Sequence, residues 1–507
     1  MKRRDFLRTI IASGTLIPIS EVFIQEACRK IESRPNFIVF LADDLGYGDL
    51  GCYGHPIIKT PNLDKFAKEG VILTDCHSGG TVCSPSRASL LTGRNPFRVG
   101  IYYLIGGGAH LPRKEVTIAS LLKEAGYDTC FVGKWHLSQI DEPDSHQPTP
   151  SDHGFDYWLA TKQNAFEGPE NPLTFIRNGK KVGEIRGWYC DLIVEEAINW
   201  IKNRPNSKKP FFLLICSHEP HAPLDPPHYY SDMYYGPEID RMAKNIRYGG
   251  VDRDRSKFFG FKKYYYGTVT QLDNAFGRLL KAIDDFKMRE NTLIFFTSDN
   301  GPEVPPSYIP QPGEEIPTWV KRTQRCFGTP GVLRGMKRSV YEGGHRVPGI
   351  IRWPRGIKPG TVSDALVNGT DILPTFCELA GVPVPDDRVI DGTSIVSIFE
   401  GREPQRPIPA TWMFPAGYPG PHMAMREDSY VIIGWFNTKE RDQLWMDYIK
   451  SARLEKFELY NLRKDIEQKF DLTSKEPEVL VKLESKMKKL WAEIQSEGPI
   501  WEKWTRK

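Results

Sequence analysis

The sequence predicts an α/β protein built on a large, mixed but mostly parallel sheet, and three observations carry that expectation. From Pro35 onwards short apolar runs alternate with helical patterns, and each run ends in acidic, glycine or proline residues. The 507 residues, 40% hydrophobic and 26% charged, are enough to bury a sizeable core. Residues 37–41 read as a buried strand running into Asp43 and Asp44, and open α/β sheets place their ligands at such carboxyl ends. Thr60 and Pro61 start a helix as N-cap and first residue, Leu63, Phe66 and Ala67 give it an apolar stripe, and Gly70 ends it. Further strands are predicted at 129–132, 211–215, 292–297 and 349–353, with long loops at 141–150 and 302–317. Proline density rises over 401–409; beyond it come an apolar run at 431–436, a turn at 459–462 and a Lys/Glu-rich amphipathic helix near 476–494. The organisation therefore reads as a signal region at 1–30, a main domain at 34–402 and a C-terminal α+β subdomain at 403–507.

Lys plus Arg number 68 and Asp plus Glu 64, a net charge of +4 without a basic run, so nucleic acid is not an expected partner. The nine cysteines are scattered and contain no C-x-x-C pair, which leaves neither a disulfide framework nor a cysteine zinc site to be read. Residues 2–8, K-R-R-D-F-L-R, precede an apolar segment from 9 to about 19 that is too short to span a bilayer and holds Gly14 and Pro18. Arg3 and Arg4 make this a twin-arginine-type signal, which predicts the twin-arginine export machinery as a partner and a periplasmic or secreted location. Cys28, after Ala27, is a candidate for lipid anchoring, but Gln25 and Glu26 suit that signal poorly.

Residues 83–94 read C-S-P-S-R-A-S-L-L-T-G-R. Pro85 suits the first turn of a helix, and Ala88, Leu90 and Leu91 continue it. Cys83 and Arg87 then lie one turn apart on one face at its N-terminus. Backbone N–H groups and a guanidinium fork at that position favour a tetrahedral oxyanion.

C-x-P-S-R with the S-L-L-T-G-R tail resembles the signature of the type I, formylglycine-dependent sulfatases, closest in flavour to the arylsulfatases and N-acetylgalactosamine-6-sulfatases. The likeness runs in order through nearly the whole chain from Pro35. It implies an alkaline-phosphatase-like α/β sandwich, a small C-terminal domain with an antiparallel sheet and a helix, conversion of Cys83 to formylglycine by a maturation enzyme, and one divalent cation, usually calcium. Asp43, Asp44, Asp299 and Asn300 match the family's metal ligands, with the modified Cys83 beside them. Four hard oxygen donors, three of them carboxylates, suit calcium or magnesium rather than zinc. Lys134 and His136 in G-K-W-H, His221 in S-H-E-P-H-A-P and Lys337 in G-M-K-R-S match catalytic groups that join Cys83 and Arg87. His221, directly before the A-P pair, is preferred to His218, which reads as structural, as do His77, His153 and His345; Arg338 is an extra charge without an assigned role.

The implied chemistry is attack on sulfur by a formylglycine hydrate. Lys134, Lys337 and Arg87 hold the sulfate oxygens, His221 protonates the leaving alcohol, Asp299 takes the proton of the attacking hydroxyl and His136 assists sulfate release. The expected substrate is a sulfated carbohydrate, cut by exo-removal of a 6-sulfate from N-acetylgalactosamine or galactose units. Tyr102, Tyr103, His110, Trp188 and Trp319 are candidates for a sugar-stacking rim. One rival is a phosphatase or phosphonate monoester hydrolase of the same superfamily, although no phosphatase-like histidine set surrounds Asp299. The other is an inactive exported glycan-binding protein, against which the intact motif speaks.

Overall fold

The run N-F-I-V-F-L-A is apolar on both faces, and in the computed structural model of the protein it forms strand β1 (Asn36–Ala42), buried along its whole length. The structure describes residues 34–502 apart from 107, 166, 205, 207, 251–259, 305–324 and 418. The expected signal region with Arg3, Arg4 and Cys28, Trp319, and most of the expected 302–317 loop lie outside the described residues.

β1 sits inside a sheet of ten described strands. In chain order the others are β2 (Val71–Leu73), β3 (Asp128–Lys134), β4 (Tyr157–Thr161), β5 (Ile176–Arg177), β6 (Lys180–Lys181), β7 (Phe211–Cys216), β8 (Thr292–Ser298), β9 (Gly349–Arg352) and β10 (Thr361–Ser363). Their order is β10-β2-β9-β8-β1-β7-β3-β4-β5-β6. The central five, β8-β1-β7-β3-β4, run parallel, and antiparallel pairs at β9, β5 and β6 make the sheet mixed.

A parallel sheet must be covered on both faces. The covering helices are α1 (Pro61–Lys68), α2 (Cys83–Thr92), α3 (Ile118–Glu124), α4 (Tyr189–Lys202), α5 (Lys262–Asp285) and α6 (Ile372–Ala380). The two-residue period of β1 divides its side chains between them. Ile38 and Phe40 share a core with Leu63 and Phe66 of α1, Ile193 of α4 and Phe276 of α5, while Phe37, Val39 and Leu41 share another with Leu90 of α2, Ile118 of α3 and Phe376 of α6. Phe37 stacks on Phe376 with ring centroids 4.2 Å apart; fully burying such a side chain contributes about 1.5–3 kcal/mol.

The strands predicted at 37–41, 129–132, 211–215, 292–297 and 349–353 are all present, with no end shifted by more than two residues. The stripe of α1 is buried as expected, but Thr60 does not cap its own helix. Its hydroxyl instead donates to the Asp64 carboxylate at 3.0 Å and accepts from Gly51 N–H at 2.9 Å.

Beyond residue 409 four strands, β11 (Ala410–Phe414), β12 (His422–Glu427), β13 (Tyr430–Phe436) and β14 (Leu454–Asn461), form an antiparallel meander. One face, with Met425, Ile432 and Leu459, packs on Leu483, Met487 and Trp491 of helix α7 (Pro477–Glu497). The other, with Trp412, Val431 and Tyr460, packs on Val340 and Tyr341. The turn expected at 459–462 is corrected here: Leu459 and Tyr460 pair with Ile432 and Val431 inside β14, and the chain turns only at Leu462. The eight described cysteines are free, and no described helix is long and apolar enough to cross a membrane.

Candidate active site

Parallel strands bring their carboxyl ends to one edge. Ala42 lies opposite Ser298, so the acidic residues that follow stand side by side, with Asp299 N–H bonded to Ala42 O at 3.1 Å. On the other side of β1, β7 leads into residues 217–221 and β3 ends at Lys134, with Gly133 opposite Cys216. A Cβ at Gly133, whose φ is +105°, would lie 1.9 Å from Cys216 O, so only glycine lets β3 approach β7 this closely just before Lys134. Cys83 is the first residue of α2, all ten residues of which are buried. Lys337 enters from a loop held by a bond from its N–H to Pro302 O at 3.0 Å.

Arg87 joins the pieces. Its Nε and Nη2 donate to Asp299 Oδ2 at 3.1 and 2.8 Å, Nη2 also to Asp43 Oδ2 at 3.2 Å, and Nη1 to Lys134 O at 2.6 Å. Lys134 Nζ binds Asp43 Oδ2 as well. Lys337 Nζ lies 2.6 Å from Asp44 Oδ1, and His221 Nε2 lies 3.5 Å from Asp44 Oδ2. The Cys83 thiol points at Asp43 Oδ1, 3.5 Å away. Asn300 Nδ2 donates to Asp44 Oδ1 at 2.6 Å, while its Oδ1 is buried without a partner. His136 is buried in the left-handed region (φ +55°), its Nδ1 without a partner, within electrostatic reach of Lys134 and Arg87.

The electrostatics separate three neighbouring carboxylates. Burial pushes Asp44 up to about 7 despite Lys337, and burial with the adjacent Asp43 raises Asp299. Burial opposes ionisation of Asp43 too, but Lys134, His221 and Arg87 hold it well below the usual carboxylate range. Burial, then Lys337, keeps His221 far below its ordinary value, and burial, then Lys134 and Arg87, does the same for His136. Both rings are therefore neutral near pH 7. Burial, with Asp299 and Asp43 close by, drives the Cys83 thiol upwards, so the unmodified side chain is a neutral S–H.

Ligand-type atoms of Asp43, Asp44, Cys83 and His221 lie within 4.8 Å of one another. Asp299 turns Oδ2 to Arg87, and Asn300 Oδ1 is the idle acceptor beside them. Carboxylates with an orphaned amide oxygen fit a hard divalent cation.

Two residues at this site were not predicted. Asn164 donates to Asp43 Oδ2 at 3.3 Å and contacts His218 Nδ1 at 3.1 Å; nothing in T-K-Q-N-A marks it. Glu303 lies 3.5 Å from Lys337 Nζ and receives the Arg338 guanidinium. Its place three residues after Asn300, in D-N-G-P-E, was a usable signal. Arg338 thus has a partner, and His218, whose Nε2 meets Pro223 O at 3.1 Å, is engaged at both nitrogens. The expected rim is corrected at Tyr102, which is buried and donates from its hydroxyl to Pro499 O at 2.5 Å. Tyr103 stacks on Phe414, His110 tilts against Trp501, and Trp188 stays half-buried.

Cationic side chains converging on a helix N-terminus, beside acidic groups at the edge of a parallel sheet, define a hydrolase of anionic esters. The chain belongs to the sulfatase family, whose model, described as Sulfatase, matches residues 35–382, and it is a sulfuric ester hydrolase. A second model, N-sulphoglucosamine sulphohydrolase, C-terminal, matches residues 335–496. N-acetylgalactosamine-6-sulfatase of Canis lupus familiaris is 33% identical over 403 residues, covering 74% of this chain and 68% of that one. Steryl-sulfatase of Homo sapiens is 32% identical over 437 residues, covering 75% and 72%. The crystal structure of Ps i-CgsB in complex with k-i-k-neocarrahexaose superposes with a TM-score of 0.74 at 26% identity, over 94% of this chain and 95% of that one. The phosphonate monoester hydrolase of Agrobacterium radiobacter, TM-score 0.60 at 20% identity over 92% and 96%, shares the fold alone.

Proposed function

We propose that this sulfatase, with residues 34–402 as catalytic domain and 403–507 as C-terminal subdomain, removes 6-sulfate groups from terminal N-acetylgalactosamine or galactose units. The observation that carries the reading is Cys83, the first residue of a buried helix, in the same cage as Asp43 and the orphaned Asn300 Oδ1. The similarity to N-acetylgalactosamine-6-sulfatase supports the sugar and the position. Asp43, Asp44, Asp299 and Asn300 would hold a divalent cation, calcium in this reading. The cation would polarise the sulfate, and formylglycine made from Cys83 by a maturation enzyme would supply the nucleophile.

The chain's own groups do the rest. Arg87, Lys134 and Lys337 bind and orient the sulfate oxygens, and each such preorganised donor is worth on the order of 2.7–4 kcal/mol in the barrier. His221 Nδ1 meets Ala222 O at 2.5 Å, which places the neutral ring's proton on Nδ1 and leaves Nε2 bare; the proton that Nε2 hands to the leaving oxygen is taken up from solvent as the anionic ester binds. Asp299 accepts the proton of the attacking group. The idle Nδ1 of His136 serves as the base for the release step. The test combines the mass of the peptide containing residue 83, cation analysis, and sulfate release from a panel of defined mono- and disaccharide sulfates. Release from the 2- or 4-position only would reject the sugar assignment, and full activity of Cys83→Ala would reject the mechanism.

A phosphonate or phosphate ester as substrate has only fold similarity behind it. Turnover of a sulfated against a phosphorylated chromogenic ester separates the two readings. Export through the twin-arginine route, to the periplasm or beyond, rests on Arg3 and Arg4. Arg3→Lys with Arg4→Lys should trap the precursor in the cytoplasm.

A further inference from the structure

A ridge of aromatic and charged side chains runs outward from the loop that carries His221. Four residues past that histidine, Asp225 accepts from Trp188 Nε1 through its carbonyl at 3.0 Å and faces Arg325 Nη1 through its carboxylate at 3.3 Å. Arg325 also holds Leu224 O at 2.5 Å and lays its guanidinium 3.9 Å from the centre of the Tyr264 ring. Lys263 Nζ comes next, 5.2 Å from Tyr264 and 5.8 Å from Tyr235. Tyr235 is 82% exposed, and Tyr229 close by in sequence is 65% exposed. A large ring left in water at the end of a chain of contacting aromatic and cationic side chains marks an interaction surface. These side chains belong to a row whose inner end is the active-site loop.

We infer that this ridge, from Trp188 through Arg325 and Tyr264 to Tyr235, holds the sugar units that follow the terminal sulfated one, so that the enzyme acts on oligosaccharides rather than on free monosaccharides. The inference rests on the carbohydrate reading of the pocket. Flat tyrosine faces suit the C–H faces of pyranoses, and Lys263 and Arg325 offer donors to hydroxyl and sulfate oxygens along the chain. Both cations have carboxylates nearby, Asp232 at 3.6 Å from Lys263 and Asp225 at Arg325. The ridge therefore carries alternating donors and acceptors, as a hydroxyl-rich chain requires, rather than a bare positive stripe.

The test compares KM for a hexasaccharide ending in N-acetylgalactosamine 6-sulfate with KM for the free monosaccharide sulfate, in the wild type and in Tyr235→Ala with Lys263→Ala. The ratio of hexasaccharide KM to monosaccharide KM should rise about tenfold in the double variant. Calorimetry with the Cys83→Ala protein carrying the same two changes should show a matching loss of hexasaccharide affinity without turnover. An unchanged ratio and unchanged affinity overturn the inference while leaving the pocket's sugar assignment intact. A wild type that cleaves a small chromogenic sulfate but neither sugar overturns the carbohydrate reading itself. A shift in sedimentation in Tyr235→Ala with an unchanged ratio assigns the ridge to a second copy of the chain and also overturns the inference.

Discussion

Two buried ionic clusters lie on either side of the segment that leads into α2. Both bring ligand-type atoms within 4.8 Å of one another, Asp43, Asp44, Cys83 and His221 in one, His77, Glu342 and His345 in the other. In the second, every ring nitrogen is engaged: His77 Nε2 with Asp75 Oδ1 at 2.8 Å, His77 Nδ1 with His345 Nδ1 at 2.9 Å, and His345 Nε2 with Val340 O at 3.0 Å. Asp75 is held by Arg346 at 3.0 Å and Arg426 at 3.1 Å, and His345 lies flat against Trp412. Only Glu342 Oε1 and Arg426 Nη1 stay without partners there. In the first cluster His136 Nδ1 and Asn300 Oδ1 have no partner, the Cys83 thiol has a long bond to Asp43 Oδ1 at 3.5 Å, and His221 Nε2 lies 3.5 Å from Asp44. Burial and clustering are common to both, so neither identifies a site. What distinguishes them is whether the nucleophile, base and ligand atoms are already spent on one another.

The largest expected effect tests the second cluster as structure. Asp75→Asn leaves Arg426 without its carboxylate and Arg346 with Glu342 alone, and breaking such a buried pair costs about 3–5 kcal/mol. Thermal or urea unfolding should show that loss, while turnover per folded molecule stays near wild type. The pH dependence has a definite sign. Burial opposes ionisation of Asp75, but Arg346 and Arg426 hold its carboxyl far below the ordinary value. Its contribution is therefore present above the unfolded carboxyl's pKa of about 3.9 and is lost as pH falls through the folded one. The variant should lack that part of the acid limb of the wild-type stability curve.

The first cluster should respond the other way round. Lys337→Ala removes a cation from beside Asp44 and should lower kcat/KM by 10²–10³, about 2.7–4 kcal/mol in the barrier, with a smaller change in melting temperature than Asp75→Asn, because Asp44, already pushed up to about 7, can take up a proton when its partner is gone. Asp44→Asn sharpens the contrast. The folded carboxyl of Asp44 is pushed up to about 7, so its neutral form is the one folding favours, and the stability it contributes is present at low pH and lost as pH rises through 7. An asparagine keeps that neutrality. In chelator at pH 8 the variant should melt no lower than wild type, although its activity and cation affinity are gone. A large drop in melting temperature would place Asp44 with the structural cluster instead.

How much of this was legible in the sequence follows the same division. Asp43, Asp44, Lys134, Asp299 and Asn300 each stand within four residues of the end of an apolar run, so a strand's end and its acidic or basic residue could be read together, and the parallel register brings them to one edge. Cys83 and Arg87 are one helical turn apart within a single motif. The second cluster gave no such signal because its partners are far apart in the chain, with Arg426 351 residues from Asp75. Asn164 lies in a segment without periodicity. Tyr102 was misplaced because an aromatic in a loop carries no mark of whether its hydroxyl meets a solvent-exposed sugar or, as here, the Pro499 carbonyl. Asn461 suggested a turn, but the pairing of Leu459 with Ile432 decides the conformation two residues earlier.

The smallest effect probes the contact between the two clusters. Trp412, on the antiparallel meander, stacks on His345 with ring centroids 4.0 Å apart and donates from Nε1 to Ser78 O at 2.7 Å. Ser78 N–H in turn bonds His345 O at 2.8 Å, and Ser78 Oγ binds Gly80 O at 2.7 Å, three residues before Cys83. The C-terminal sheet therefore fixes the segment that delivers the helix N-terminus. Trp412→Phe retains an aromatic face for the histidine but leaves a buried carbonyl without this donor, a cost of about 1–3 kcal/mol. If the indole only fills space, the variant should lose stability alone. If it positions the segment, kcat should fall severalfold while cation affinity holds, because Asp43, Asp44, Asp299 and Asn300 hang from β1 and β8 rather than from residues 78–83. Unchanged kcat together with an unchanged melting temperature would show that the meander is not coupled to the catalytic helix through this bond.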